Sequence, residues 1–334
     1  MEPAEKIIAD LKAKKRKPIY FLMGEEPYYI DVISRWVEEN LLSEAEKAFD
    51  QIVVYGRDTD IHTIVTYARR YPMVGPYMVV IVKEAQQLSR NIEDLTTYVE
   101  NPVSSTLLVI CYKYNILDKR KKLYKSIQRH GVLFQSKKLY EYQIPAWISA
   151  KVKKMGYTIT EKSEFLLTEH IGVDLSRLAV ELDKLIITLP KGSEITADNI
   201  ESSTGISKTY NHFELQKAIA NKNVLMAYKI VYYFGKKSNG YPLALSLGML
   251  YHFFTQLIKY HSLVMTEEAH LAKVLNISPY FLKDYIQAAQ HYSLKKTIEI
   301  ISYLRVADAQ SKGIESPATT EQELLKELLF KILH

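Results

Sequence analysis

The feature that most constrains this chain is a change of hydrophobic rhythm near Leu139. Before it, the β-rich runs "IYFLM", "FDQIVVYG", "YMVVIV", "TLLVICY" and "GVLFQS" alternate with helical spacing, as in "YYIDVISRWVEENLL" and "DKRKKLYKSIQRH". Alternation of this kind predicts a parallel α/β sheet with helices on its faces. After Leu139 the strands are expected to stop. "IPAWISAKVKKMG", "EKSEFLLTEHIG", "DLSRLAVELDKLIITL" and "TADNIESSTG" predict four short helices, the first two ending near Gly156 and Gly172 and the fourth capped by Thr196. From about Thr209 only long helices are expected, with turns at "GKKSNGYP", "NISP" and "KGIESP".

A chain of 334 residues that is 47% hydrophobic has material for more than one core. The boundaries read from the rhythm are an α/β domain at 1–139, a small helical domain at 140–208 and an all-α domain at 209–334. The net charge of +6 is a mild basic bias that decides nothing alone. Cys111 is the single cysteine and lies inside "TLLVICY", which predicts a buried hydrophobe and a reducing, cytoplasmic setting. The first residues lack an apolar signal region. The apolar segment Tyr241–Met265 approaches membrane-spanning length, but His252, Gln256, Lys259 and His261 interrupt it. It predicts a core helix, and no membrane partner is expected.

A parallel α/β domain followed by a small helical one is a layout of nucleotide-binding ATPases, so the loop after the first strand is the place to look for chemistry. A phosphate loop needs G-x-x-x-x-G-K-[ST], whose N–H groups wrap phosphates while the lysine and hydroxyl serve them and magnesium. Here the loop reads Gly24, Glu25, Glu26, Pro27, with no second glycine, lysine or hydroxyl in register. Carboxylates suit a helix start but repel a triphosphate. The third strand fails in the same way: where such ATPases carry an acidic pair for magnesium and the attacking water, it ends in Lys83 and Glu84. The scattered histidines form no metal motif. No cofactor and no metal are expected. Two basic runs, Lys12–Lys17 and Asp118–His130, are candidates for phosphate contact, Lys119, Arg120, Lys121 and Lys122 foremost, although a solvated helix face carries the same residues.

One connection stands apart. Ile61, Ile64, Val65 and Ala68 have helical spacing, "YMVVIV" is a strand, and between them Pro72 and Pro76 break the chain around Met73 and Val74. Such a connection faces solvent, where two large apolar side chains need a reason.

These residues together resemble the delta subunit of the bacterial DNA polymerase III clamp loader. The likeness rests on "IYFLMGEEPYYID", "RRYPMVGPYMVVIVKEAQQL", "LLVICYKYNILDKRKKLYKSI" and "WISAKVKKMGYTIT…GVDLSRLAVELDKL". The resemblance implies an AAA+-like α/β domain that binds neither ATP nor magnesium, a helical lid and a C-terminal helical collar. It implies no activity of the chain's own inside the polymerase III holoenzyme. The implied partners are the ring-shaped sliding clamp (the beta subunit), which the N-terminal domain grips and opens, the gamma/tau ATPase subunits and delta-prime in the collar, and primed DNA through the complex. In this family a hydrophobic pair at the end of the helix before the third strand contacts the clamp. That pair falls on Met73 and Val74, with Tyr71 beside them, and Val74 is smaller than the aromatic some relatives place second. Two rival readings are an active AAA+ motor subunit and a helical nucleic-acid-binding protein.

Overall fold

The computed structural model describes residues 3–204, 207, 209–236, 241–263, 268–275, 277, 281–314 and 320–334. The chain forms two compact units, Met1–Gln143 with Val173–Arg177, and Ile144–Gly172 with Leu178–His334.

The first unit is a five-stranded parallel sheet. Its strands are β1 (Ile19–Gly24), β2 (Gln51–Tyr55), β3 (Met78–Lys83), β4 (Thr106–Lys113) and β5 (Val132–Ser136), in the order β2-β3-β4-β1-β5. The central strand β4 pairs with β1, from Leu108 opposite Ile19 to Lys113 opposite Gly24. Helices α1 (Pro3–Lys12), α2 (Pro27–Asn40), α3 (Glu44–Asp50), α4 (Ile61–Ala68), α5 (Thr96–Glu100) and α6 (Lys122–His130) complete the unit. Alternate strand residues serve different cores. Phe21, Met23, Val80, Val82, Leu108 and Ile110 pack with Ile64 of α4 and with Leu123 and Ile127 of α6. Tyr20, Leu22, Val79, Ile81, Val109 and Cys111 pack with Leu11 of α1 and with Ile30, Ile33 and Val37 of α2. Burial of both faces is why these strands are unbroken apolar runs.

One expected strand starts later than its sequence suggests. Of "FDQIVVYG", Phe49 and Asp50 close α3, and β2 begins at Gln51. The Glu46 carboxylate accepts the Ser43 N–H at 2.7 Å, a capping interaction that commits the preceding residues to a helix despite the β-branched run behind them.

Next along the chain come the four short helices, α7 (Ile144–Lys154), α8 (Glu161–Ile171), α9 (Leu175–Ile187) and α10 (Ala197–Thr204), which lie in the second unit apart from the first three residues of α9. Gly156 and Gly172 take positive φ just past α7 and α8. Thr196 precedes α10, its hydroxyl and N–H both donating to Asn199 Oδ1. The segment is not free of strands: β6 (Thr158–Ile159) and β7 (Glu194–Ile195) form a parallel pair. Two residues are too few to show a period of two, so the sequence left no trace of them. The described helices that follow are α11 (His212–Ala220), α12 (Val224–Lys236), α13 (Leu243–Ser262), α14 (Glu268–Leu275), α15 (Leu282–His291), α16 (Leu294–Ser311) and α17 (Glu321–Leu333). They are not all long, as the sequence suggested: α11, α14 and α15 have 9, 8 and 10 residues, fewer than the 11 of α7. The turns expected at "GKKSNGYP", "NISP" and "KGIESP" lie largely outside the described residues.

The apolar stretch from Tyr241 is a core helix. Along α13, Leu247, Leu250, Phe253, Phe254 and Leu257 are buried against α11, α12, α15, α16 and α17, whereas Tyr251, His252 and Lys259 are exposed. No described helix is long and apolar enough to cross a membrane.

Candidate functional site

The connection between α4 and β3 presents its apolar residues outward. Met73 is 79% exposed, Val74 59% and Tyr71 78%. None folds back onto the sheet. The pair does not sit on a helix end, as expected from the resemblance: α4 stops at Ala68, and Met73 and Val74 follow on irregular backbone. Pro72 lacks an N–H and restricts the residue before it, so the helix ends short of the pair. The helix end is itself anchored, since the buried Tyr98 hydroxyl donates to the Ala68 carbonyl at 3.1 Å.

What holds the irregular backbone is Asp50, the last residue of α3 and wholly buried. Its Oδ1 accepts the N–H of Met73 at 2.6 Å, and its Oδ2 accepts those of Val74 at 2.8 Å and Gly75 at 2.5 Å. Burial alone pushes the Asp50 carboxyl up, but the N–H groups of Gly75, Met73 and Val74 outweigh it and hold the group below the usual carboxylate range. Sequence reading missed Asp50, because a separation of 23 positions from Met73 leaves no local pattern. At the other end of the connection, Arg16 of the first basic run lies with its guanidinium 3.7 Å from the Tyr77 ring centroid.

The crevice at the carboxyl ends of β1, β3 and β4 is where open α/β sheets bind ligands. Here it is occupied by the chain's own groups. The Gly24 N–H donates to the Asn115 carbonyl at 3.0 Å, and the Gly24 carbonyl accepts the Tyr114 N–H at 2.8 Å. Pro27 has no N–H to offer. Glu26, nearly buried, caps α2 by accepting the Tyr28 N–H at 3.1 Å, whereas Glu25 is exposed. Burial raises the Glu26 carboxyl above its ordinary value, partly offset by that N–H.

Charges fill the rest of the crevice. The Lys113 ammonium, at the end of β4, bridges Asp31 of α2 at 2.9 Å and Glu84 at 2.8 Å. Glu84 takes left-handed backbone just after β3, with φ of 53°, which suits its role at that bend. Burial works against the Lys113 charge, but the Asp31 and Glu84 carboxylates outweigh it and raise its pKa. Lys83 pairs with Glu38 of α2 at 2.8 Å. Asp31, Glu38 and Glu84 are thus each paired with a lysine. Among the described residues no cluster of histidine, cysteine or carboxylate side chains could hold a metal ion.

The second basic run is a turn that enters a helix, rather than one helix face. Lys119, Arg120 and Lys121 precede α6, and Lys122 is its first residue; all four are exposed. Arg120 is held by Asp118 at 2.8 Å and Lys122 by Glu100 at 2.9 Å.

In the second unit the fold brings together a chain of groups that the scattered histidines did not suggest. His212 Nδ1 meets Glu169 of α8, and His212 Nε2 lies 2.9 Å from Ser246 Oγ of α13. The order resembles a nucleophile, base and acid, but Ser246 is fully buried and His212 nearly so. A hydroxyl that no substrate reaches is a structural tie, here joining α8, α11 and α13.

Residues 20–137 match the family model described as DNA polymerase III, delta subunit. The chain is 25% identical over 330 residues to the DNA polymerase III subunit delta of Bacillus subtilis, covering 95% of this chain and 93% of the relative. Its fold is similar to that of the Bacillus subtilis DNA clamp loader delta protein, with a TM-score of 0.54, 24% identity and 99% of each chain covered. The likeness read from four segments of the sequence thus extends along nearly the whole chain.

Proposed function

We propose that this chain, which resembles the delta subunits of the bacterial DNA polymerase III clamp loader, is the non-catalytic subunit that grips the sliding clamp and opens it for loading onto primed DNA. The observation that carries the proposal is the outward presentation of Met73 and Val74 on a connection tied down by Asp50. An apolar plug of this size enters an apolar pocket, and burying a Met or a Val yields about 1.5–3 kcal/mol each. Opening the ring needs differential binding, so the chain must hold the strained open clamp better than the closed one. The division of labour proposed is clamp binding by residues 1–139, a lid at 140–208, and assembly with the gamma/tau and delta-prime subunits through 209–334, in the cytoplasm.

The reading includes no nucleotide. A triphosphate would have to displace the Glu26 cap, the Gly24–Asn115 pairing and the Lys113 ion pairs together. Calorimetry should find no magnesium-dependent ATP binding, and micromolar affinity would favour a motor subunit instead. A main role in nucleic-acid binding is disfavoured by the pairing of Arg120 and Lys122 with acids. DNA affinity of the isolated chain with a steep salt slope would restore that role.

The deciding test is Met73→Ala with Val74→Ala. Clamp affinity should fall by roughly ten- to a thousand-fold, with little change in Tm, because both side chains are exposed in the free chain. Unchanged clamp affinity would remove the basis of the proposal.

A further inference from the structure

We infer that Asp50 is the positioning residue of the docking connection: its carboxylate gathers the N–H groups of Met73, Val74 and Gly75 and so makes both apolar side chains stand out from the surface. The inference rests on the clamp-docking reading of Met73 and Val74.

An irregular connection with two large apolar side chains would ordinarily collapse them onto the nearest apolar surface, or sample many conformations and lose affinity when a partner selects one. Neither holds where successive N–H groups converge on one fixed anion. Hydrogen bonds to a carboxylate are shorter and stronger than neutral ones, and those at Asp50 span 2.5 to 2.8 Å. A wholly buried carboxylate is costly unless compensated, and the connection supplies that compensation. The tie therefore works in both directions: the anion orders the backbone, and the backbone makes the buried anion tolerable.

The neighbours fit this role. Asp50 closes a helix whose start is capped by Ser43 and Glu46, so the carboxylate is delivered from a defined element. A Cβ at position 75 would lie 3.3 Å from Asp50 Oδ2 and 3.3 Å from Glu46 Cγ, closer than side chains ordinarily pack. Glycine there leaves the carboxylate room to reach the amides. Asp50 itself is out of reach of any partner, so it acts only through Met73 and Val74.

The test uses the full chain and the purified sliding clamp. Asp50→Asn removes the charge and replaces one accepting oxygen with a donor, at nearly the same volume. Amide hydrogen exchange at Met73, Val74 and Gly75 should accelerate by about tenfold or more, and clamp affinity should fall by about tenfold, although both docking side chains are intact. Wild-type exchange at these amides overturns the inference. So does accelerated exchange with unchanged clamp affinity in a chain whose Met73→Ala, Val74→Ala variant does lose the clamp. If that double variant keeps wild-type affinity, the docking reading itself fails and the inference falls with it, whatever the amides do. Should Asp50→Asn not fold, Gly75→Ala decides, since it crowds the same carboxylate from the exposed side. Faster exchange and weaker clamp binding in that variant support the positioning role, and wild-type behaviour in both overturns it.

Discussion

Gly24 shows how one residue can outlive the chemistry it resembles. It is the glycine that a phosphate loop would begin with, yet its φ of +133° and its crowding explain it without a phosphate. A Cβ there would collide with the backbone oxygen of Ser136 at the end of β5. Gly24→Ala should therefore destabilise the chain by about 2–4 kcal/mol in denaturant melts, through backbone strain and overpacking. At Cys111 it is chiefly burial that sets behaviour. Its thiol is pushed up to about 12 by burial, so the folded chain keeps it protonated. That contribution to stability is whole below the ordinary thiol pKa of about 8.5 and is lost as pH rises toward the folded value. At about pH 8 a thiol reagent should label Cys111 only as fast as the chain unfolds; rapid labelling of the native protein would contradict its burial.

Helix α4 leads into the connection proposed to dock, and the Tyr98 hydroxyl ties its last turn by donating to the Ala68 carbonyl. Tyr98→Phe keeps the ring in its core and removes the hydroxyl that donates to the Ala68 carbonyl. The expected cost is about 1 kcal/mol, read as a lower denaturation midpoint. On the proposed docking role, clamp affinity should change less than in Asp50→Asn, because Asp50 holds Met73 and Val74 themselves and Tyr98 only the helix behind them. In the second unit, elements are joined by groups far apart in sequence. Phe165 of α8 meets Phe213 of α11 at 5.5 Å between centroids, and Lys162 and Glu214 form an ion pair.

At the scale of the molecule, those ties bear on where the chain can be cut. Glu169, Phe165 and Lys162 all lie before residue 209 and contact residues after it. A fragment of residues 209–334 would expose Phe213 and leave His212 without its carboxylate. A fragment of 144–334 keeps both. The longer fragment should melt at a clearly higher temperature than the shorter, and, on the proposed function, should bind loader ATPase subunits better. If the 209–334 fragment matches it in both, the ties across residue 209 contribute nothing and the collar stands alone.

What the sequence determined by itself is whatever depends on short-range pattern. The apolar runs of β1, β3 and β4 specified a sheet buried on both faces, the helix spacing of α7 to α10 specified the short helices, and the missing lysine and hydroxyl after Gly24 told against a phosphate loop. Met73 and Val74 stood out because prolines bracket them. What only the tertiary structure decided are relations between residues that no local pattern links. Asp50 reads in sequence as part of a strand, and only the packing of α3 beside the α4–β3 connection turns it into the anchor of that connection. Lys113 reads as the end of an apolar run, and only the alignment of β4 with α2 and the end of β3 makes it the cation between Asp31 and Glu84. Hydrophobic periodicity is written along the chain because burial acts on each residue separately, whereas a buried charge takes its meaning from partners that folding brings to it.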